Sequence, residues 1–338
     1  MKIPKVLISI LNWNGAEKTL SCVRSLSSEL FNATADATIL IVDNGSRPED
    51  SNALALSMQS QNVELTRLPK NIGFTGGHNA AIQKAIDNNY DYVWLMNNDA
   101  LVMPGALTHL LAVMTSDDRC GAASPVLRDA EDESIVARCV STTNWRDRTY
   151  TRIANVQEAI DLQSTHPDAV WLDGTALLLR VDALKDVGLL DDRLFAYYDD
   201  NDIGARLTAG GWHSKCVFEA IVTHPNKKSA AEYPLYMSYL LQRNEMLFWH
   251  SNTPPRHRRL LWLKLFDRAL FDVNKLYKRG LNAHGDAALI GIFDFICGKY
   301  GPPNYARQVP FLLRLACKIS AIYYAKKLQQ AAIQSTQT

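Results

Sequence analysis

The chain has 338 residues, 47% of them hydrophobic, with 36 basic residues against 35 acidic ones and a formal net charge of +1. That length and apolar content allow one large domain or two with a substantial core, and the charge balance argues against a dedicated nucleic-acid binder. Six scattered cysteines (Cys22, Cys120, Cys139, Cys216, Cys297 and Cys317) form no Cys-x-x-Cys pair, which points to reduced thiols in a cytoplasmic protein and not to a zinc site or disulfide framework. Met1-Lys-Ile-Pro-Lys runs straight into strand-like sequence without an apolar leader, and no uncharged apolar run reaches the length of a membrane span. The expectation is a soluble protein, or one attached to a membrane only at its surface.

Val6 to Leu11 is a buried-strand candidate closed by Asn12-Trp-Asn-Gly15, and residues 17–30 follow with Leu20, Val23, Leu26 and Leu30 at helical spacing. Thr38 to Val42 forms a second apolar run ending in Asp43-Asn-Gly-Ser46. Val63 to Leu68 forms a third, ending in Pro69-Lys-Asn71-Ile-Gly-Phe-Thr-Gly76-Gly77-His-Asn79, with Ile82, Ala85 and Ile86 then on one side of a helix. Tyr92 to Met96 is nearly all apolar and stops abruptly at Asn97-Asn98-Asp99, as a strand buried on both faces does. Pro104 suits the first turn of a helix carrying Leu107, Leu110, Leu111 and Met114. Strands alternating with helices predict a mostly parallel, doubly wound α/β sheet, with Asn12, Asp43, residues 71–79 and Asp99 at successive strand tips along one edge. Ligands of open α/β sheets bind at that edge.

Asn97 and Asp99 are two apart, so in extended chain they face the same way and can share a hard cation; a plain polar turn is the other reading. Gly76 and Gly77 at a helix start can offer backbone N–H groups to a phosphate or close a tight turn. The chain has neither a Gly-x-G-x-x-Gly fingerprint nor a P-loop. From Asp117 to Pro167 the sequence turns polar and irregular, as a substrate loop or a surface insertion would. Val170 to Arg180 is strand-like again, and a short helix ends at Gly188. Phe195, Tyr197 and Tyr198 then stand directly before Asp199, Asp200 and Asp202. Asp202 and Arg206 are i,i+4 partners on a helix, and acidic residues in a first turn offset the helix dipole. A crowd of carboxylates behind three aromatic residues also suits a carboxyl raised towards base duty. His224 follows another apolar run, where a lone histidine is structural or a ligand.

Together these residues resemble the inverting, family-2-type glycosyltransferases of the GT-A fold, and within them the bacterial rhamnosyltransferases of surface-polysaccharide assembly. The resemblance rests on the Asn12-Trp-Asn-Gly15 turn, Val42-Asp-Asn-Gly-Ser46, Asn71-x-Gly-Phe-x-Gly-Gly-x-Asn79, Leu95-Met-Asn-Asn-Asp99 and Asp173-Gly-Thr-Ala176. It continues through Tyr198-Asp-Asp-Asn-Asp202 with Arg206, Gly211-Trp212, and His224 with Ser229, and covers roughly residues 5–230. It implies a GT-A domain over 1–230, Rossmann-like with a mostly parallel sheet flanked by helices. Asn12, Asp43, Asn71, Gly76, Gly77 and Asn79 would line the nucleotide pocket, and Asp173 and Gly174 would shape the acceptor side. Asp99 would bind Mg²⁺ or Mn²⁺ with Asn97 beside it, where the family more often has a carboxylate, and with His224 as a second ligand near the diphosphate. Asp200 would be the base, with Asp199 where the family more often has Glu.

The implied donor is a dTDP- or UDP-sugar carrying rhamnose or a hexose. The implied acceptor is a glycan or a polyprenyl-diphosphate-linked sugar, and no nucleic acid is involved. A sugar nucleotidyltransferase and a non-catalytic nucleotide-sugar-binding module are the alternatives; the first usually carries a Gly-rich basic loop where this chain has Asn12-Trp-Asn-Gly15. Residues 231–338 are expected to form a helical extension. Within it Pro254 to Gly280 holds eight Lys or Arg and two Asp beside Trp262, Leu263 and Phe266. That mixture suits peripheral contact with the cytoplasmic face of the inner membrane, or a helical subdomain with its lysines in water.

Overall fold

The computed structural model describes residues 3–30, 35–57, 63–225 and 233–335. Ser229, one of the residues carrying the resemblance, lies outside them. The chain divides into two compact units, Met1–Lys227 and Lys228–Thr338.

In the first unit the apolar runs become strands β1 (Lys5–Asn12), β2 (Asp36–Asp43), β3 (Val63–Arg67) and β4 (Tyr92–Asn97). They pair in parallel in the order β3-β2-β1-β4. Successive side chains of a strand point to opposite faces, so an uninterrupted apolar run needs cover on both. Val6, Ile8 and Ile10 of β1 and Tyr92, Trp94 and Met96 of β4 enter one core. Leu7, Val93 and Leu95 enter the other. Helices α1 (Ala16–Leu30), α2 (Pro48–Ser57) and α4 (Ala106–Ser116) cover the first face through Cys22, Leu26, Leu54, Leu107, Leu110 and Met114. Helices α3 (Gly73–Asp87), α6 (Val181–Val187) and α7 (Asp199–Ala209) cover the second through Ala81, Ile82, Ala85, Leu184, Ile203 and Leu207. The result is a helix–sheet–helix sandwich.

The sheet continues past β4 differently from a purely parallel winding. Antiparallel β11 (Ala176–Arg180) lies between β4 and β6 (Cys120–Asp129), and β12 (His213–His224) follows parallel to β6. The short β5 (Leu101–Val102) pairs antiparallel with β12 at the edge, and β7 (Val136–Arg138) pairs with β6. The described residues thus form a nine-stranded mixed sheet. The polar stretch 117–167 is not a loop. It supplies β6 and β7, then β8 (Val140–Asn144), β9 (Thr149–Ile153) and α5 (Val156–Thr165). β6 escapes an apolar-run reading because its buried residues include Gly121, Ala122, Ala123 and Ser124, small side chains without a strong hydrophobic signature. The stretch 170–180 is likewise two strands. β10 (Val170–Trp171) joins β8 and β9 in a small second sheet, and a turn at residues 173–175 separates it from β11.

The second unit is helical, with α8 (Leu235–Asn252), α9 (Leu261–Lys278), α10 (Asn282–Ile296) and α11 (Phe311–Ser335). Its core includes a buried polar network. Tyr239 donates to Asp294 at 2.6 Å, Arg307 pairs with the same carboxylate, and the buried Arg243 donates to the Gly301 carbonyl at 2.8 Å. No described helix is long and apolar enough to cross a membrane.

Candidate active site

Parallel register brings the strand tips level: Asn12 of β1 stands opposite Asp43 of β2, and Leu11 opposite Asn97 of β4. Beyond Asn97 the chain turns into β5, whose pairing sets Leu101 against Thr223 of β12. This pairing carries His224 to the β4 tip across 125 residues of sequence. Its Nε2 lies 3.2 Å from Asp99 Oδ1 and 3.3 Å from Asn97 Nδ2. Lys18 Nζ lies 3.5 Å from the other Asp99 oxygen. Burial by itself raises the Asp99 carboxyl. The His224 hydrogen bond, with the charges of His224 and Lys18, outweighs it and holds the group below the usual carboxylate range.

Asp99 and His224 keep 27% and 28% of their side-chain surface, so a ligand can reach them. Among the described residues no group of three or more His, Cys, Asp or Glu is placed to hold a metal ion. An ionised carboxylate, an amide and an imidazole fit a site in which phosphate oxygens and water complete the shell, the usual arrangement for Mg²⁺ with phosphate ligands.

The other residues expected to meet a nucleotide are largely engaged with one another. The Asn12 amide nitrogen donates to Asp43 (3.2 Å), Ser46 (3.1 Å) and Asp50 (2.9 Å), while its oxygen accepts from Thr19 (2.8 Å) and Gly15 N–H (3.3 Å). Asn12 is a fully buried knot that positions Asp43, itself 2% exposed. Asn71 Oδ1 accepts from the Gly73 N–H at 2.8 Å and from Asn44 at 3.1 Å, and Asn44 also binds the Gly73 carbonyl and the Ile72 N–H.

Asn79 does not face the strand tips' shared edge as a free polar group. Its amide clamps the Leu190 backbone from both sides (2.9 and 3.0 Å) and donates to Asp192 at 2.7 Å. Gly77 is the fifth residue of α3, beyond the four N–H groups, those of Ile72 to Thr75, that the helix leaves unpaired. A Cβ at Gly77 would stand 2.3 Å from Leu11 Cδ1, so its small size lets α3 lie against β1. Ile72 is the N-cap, so Gly76, four residues on, is the first whose N–H bonds within the helix, and Ile72 lies 3.0 Å from where its Cβ would be.

The carboxylates before α7 are held by an unusual backbone. Phe195, Tyr197 and Tyr198 have φ of 64°, 69° and 68°, a left-handed conformation that costs large side chains about 1–3 kcal/mol each. Neighbouring contacts hold it. The Phe195 carbonyl accepts from Thr75 N–H at 3.2 Å and lies 2.3 Å from where a Gly73 Cβ would be, so the approach requires glycine at φ +87°. At the start of α7 the Asp202 carboxylate binds Arg206 at 2.8 Å, and Arg206 also ties down the carbonyls of Val187, Gly188 and Leu189. Asp202 is thereby explained as the structural member of the trio.

Asp199 is 8% exposed, and its carboxyl is pushed up to about 8, first by burial and then by the charge of Asp200. The desolvated carboxyl anticipated for this stretch is thus Asp199. Asp200 is half-buried: Oδ2 accepts from Gly174 N–H at 3.1 Å and Oδ1 from Asn201 N–H at 2.8 Å.

Gly174 belongs to the turn between β10 and β11. Asp173 braces that turn by accepting from Thr175 N–H (3.0 Å) and Thr175 Oγ1 (2.5 Å) while pairing with Arg138. The turn's Thr175 carbonyl accepts the Asn97 N–H at 2.9 Å. One braced turn therefore bonds the β4 tip on one side and the Asp200 carboxylate on the other. Residues that the sequence reading missed are Lys18 at Asp99, Asn44 and Ser46 in the tip network, and Arg138. Only Asn44 and Ser46 sat inside a motif already singled out.

A model of the family described as "Glycosyltransferase like family 2" matches residues 4–235, a stretch that contains every residue of this site. The chain belongs to that family. It is 29% identical over 231 residues to the N-acetylglucosaminyl-diphospho-decaprenol L-rhamnosyltransferase of Mycobacterium tuberculosis strain CDC 1551 / Oshkosh, covering 62% of this chain and 74% of that protein. The protein of that name from strain ATCC 25618 / H37Rv matches identically.

Among solved structures, the mannosyltransferase PcManGT from Pyrobaculum calidifontis, in complex with GDP-Man and Mn²⁺, superposes with a TM-score of 0.55 at 14% identity, covering 99% of this chain and 85% of that one. S. aureus TarS 1-349 gives 0.56 at 11%, covering 98% and 92%. GalNAc-T7 with UDP, GalNAc and Mn²⁺ gives 0.54 at 15%, covering 72% of this chain and 51% of that one, so the chain spans about half its length. At these identities the likeness speaks to fold alone, and the fold is GT-A.

Proposed function

We propose that this glycosyltransferase moves rhamnose or a hexose from a dTDP- or UDP-sugar onto a glycan or polyprenyl-diphosphate-linked acceptor, with inversion, during bacterial polysaccharide assembly. The observation that carries the reading is the turn at residues 173–175, which binds both the Asn97–Asp99–His224 tip and the Asp200 carboxylate. Donor activation and acceptor deprotonation belong within reach of each other, and this turn joins the groups suited to each.

Asp43 and Asn71 face the nucleotide in this account, with Asn12, Asn44 and Asn79 holding the walls. Asp99, His224 and Asn97 would hold Mg²⁺ or Mn²⁺, and the ion would neutralise the charge that develops on the diphosphate leaving group. Asp200, fixed by two backbone N–H groups, takes the proton from the acceptor hydroxyl, a poor nucleophile near neutral pH. The oxygen then displaces the diphosphate in line, so a single step inverts the anomeric centre without a covalent intermediate. Burial and the charge of Asp200 push the Asp199 carboxyl up, which opposes a second negative charge beside the base. The name of the mycobacterial relative, which specifies an L-rhamnosyl group and a decaprenol-diphosphate acceptor, supports a lipid-linked substrate.

A lipid-linked acceptor places the enzyme on the cytoplasmic face of the inner membrane. Contact is assigned to residues 231–338 through Arg256, Arg258 and Arg259 next to Leu260, Trp262 and Leu263, which are 59%, 51% and 65% exposed.

The test is a thermal-shift screen of dTDP- and UDP-sugars with Mg²⁺, with Mn²⁺ and with EDTA, on the native chain and on Asp99→Asn. One nucleotide class should stabilise the native protein only with metal, and the variant should lose most of that shift. Stabilisation insensitive to EDTA would remove the metal from the mechanism and leave Lys18, with the His224 ring beside it, facing the diphosphate. No response to any nucleotide would overturn the donor assignment.

A further inference from the structure

The two units carry opposite charge. Residues 228–338 hold 16 Lys and Arg against 6 Asp and Glu, a net +10, whereas residues 1–227 hold 20 against 29, a net −9. Helix α11 concentrates the bias, with Arg314, Lys318, Lys326 and Lys327 and no acidic residue. One side of it is packed: Leu313 and Cys317 are 7% and 2% exposed, and Asn274 of α9 binds both the Cys317 carbonyl (3.3 Å) and its thiol (3.4 Å).

The other side is bare. Phe311 and Leu312 are each 76% exposed, Leu315 43%, and Ile319 and Ile322 59% each. At about 100° per residue these five positions share an arc of roughly 100°, with the exposed Lys318 just beyond one edge. A contiguous apolar stripe of this kind marks a docking surface, because isolated exposed apolar residues are ordinary and aligned ones are not.

The charge pattern selects the occupant. A second copy would bring one unit of net charge +10 against another, with Arg314 already paired to Asp286 of α10 at 3.0 Å and no carboxylate on α11 itself, a like-charge juxtaposition that opposes association. An anionic lipid surface supplies both missing parts: an acyl boundary for the five apolar side chains, and negative head groups for the bordering Lys318 and the net positive charge of the unit. We propose that α11 lies flat on an anionic lipid bilayer with its Phe311–Ile322 face inserted. This deepens the membrane contact assigned to the start of α9 and rests on that reading for the kind of surface. It adds a second and more apolar anchor, since one weak membrane signal gives only reversible attachment.

The experiment is co-sedimentation of the full chain with phosphatidylglycerol-containing vesicles and with pure phosphatidylcholine vesicles. Native protein, Ile319→Ser/Ile322→Ser, Phe311→Ser/Leu312→Ser and Arg256→Glu/Arg258→Glu/Arg259→Glu are compared, with melting temperature and nucleotide-sugar-induced stabilisation as controls for folding. The native chain should bind only the anionic vesicles. Each α11 variant should lose about ten-fold or more of its partition coefficient while melting normally. Native-like binding by both α11 variants, with loss in the α9 triple variant, would overturn the α11 proposal and leave the α9 contact standing. No vesicle binding by the native chain would overturn both. A dimer in sedimentation equilibrium that Ile319→Ser/Ile322→Ser converts to monomer would assign the stripe to a second copy and overturn the lipid assignment.

Discussion

The strand-tip half and the helix-start half of the site treat their carboxylates in opposite ways. At the β4 tip, Asp99 is partly open to solvent, faces His224 and Lys18, and is held below the usual carboxylate range. At the start of α7, Asp199 is closed off, faces Asp200, and is pushed up to about 8. One half favours the charged carboxylate, at the place proposed for a cation. The other opposes negative charge at Asp199, beside the carboxylate proposed to meet the incoming hydroxyl. Environments that push like groups apart are how one fold assigns them different tasks.

The largest effect should come from removing the group on which the helix-start half converges. Asp200→Asn keeps the size and an acceptor for the Gly174 N–H but cannot take a proton. Transfer should fall by roughly 10³-fold with donor-induced stabilisation nearly unchanged. If most of the turnover survives, the base is elsewhere, and Asp199 is the next residue to replace.

A smaller effect should sharpen the strand-tip half. Asn97→Asp adds a second carboxylate beside Asp99, and Mn²⁺-dependent donor stabilisation should require about ten-fold less metal. An unchanged metal requirement in a Mn²⁺ titration would mean that residue 97 does not face the ion.

The smallest effect concerns stability. Asp199 has an ordinary value of 3.8 and a folded value of about 8. Between about pH 4 and pH 8 the folded chain therefore holds a proton that the unfolded chain has released, and stability falls as pH rises through that window. Asp199→Asn should flatten this decline, gaining a few degrees of melting temperature at pH 8 relative to pH 5. Parallel melting curves for the two proteins would contradict the buried, protonated assignment.

Much of this architecture is legible in the sequence, for identifiable reasons. β1, β2 and β4 are apolar on both faces, and polar residues stop each run abruptly, so the strands and their shared ligand edge can be read directly. β6 cannot, because its burial depends on Gly121, Ala122, Ala123 and Ser124 fitting beneath neighbours that only the fold supplies. Residue type also does not show which way a side chain turns. Asn12, Asn79 and Gly77 have the chemistry of a nucleotide pocket, yet Asn12 ties strand tips together, Asn79 clamps residues 190–192 and Gly77 admits Leu11. His224 reaches Asp99 only through the antiparallel β5–β12 pairing, a long-range contact with no local pattern. The left-handed run at Phe195, Tyr197 and Tyr198 is invisible for the same reason, since large aromatic residues disfavour it and contacts with Gly73 and Thr75 hold it.

The measurement that bears most directly on a lone, backbone-held base acting in line is the anomeric configuration of the product, determined by proton NMR on the first turnover with the donor that the binding screen identifies. The account predicts a single product whose configuration is inverted relative to the donor. A retained configuration would contradict it, because a single in-line displacement cannot retain the configuration of the anomeric centre.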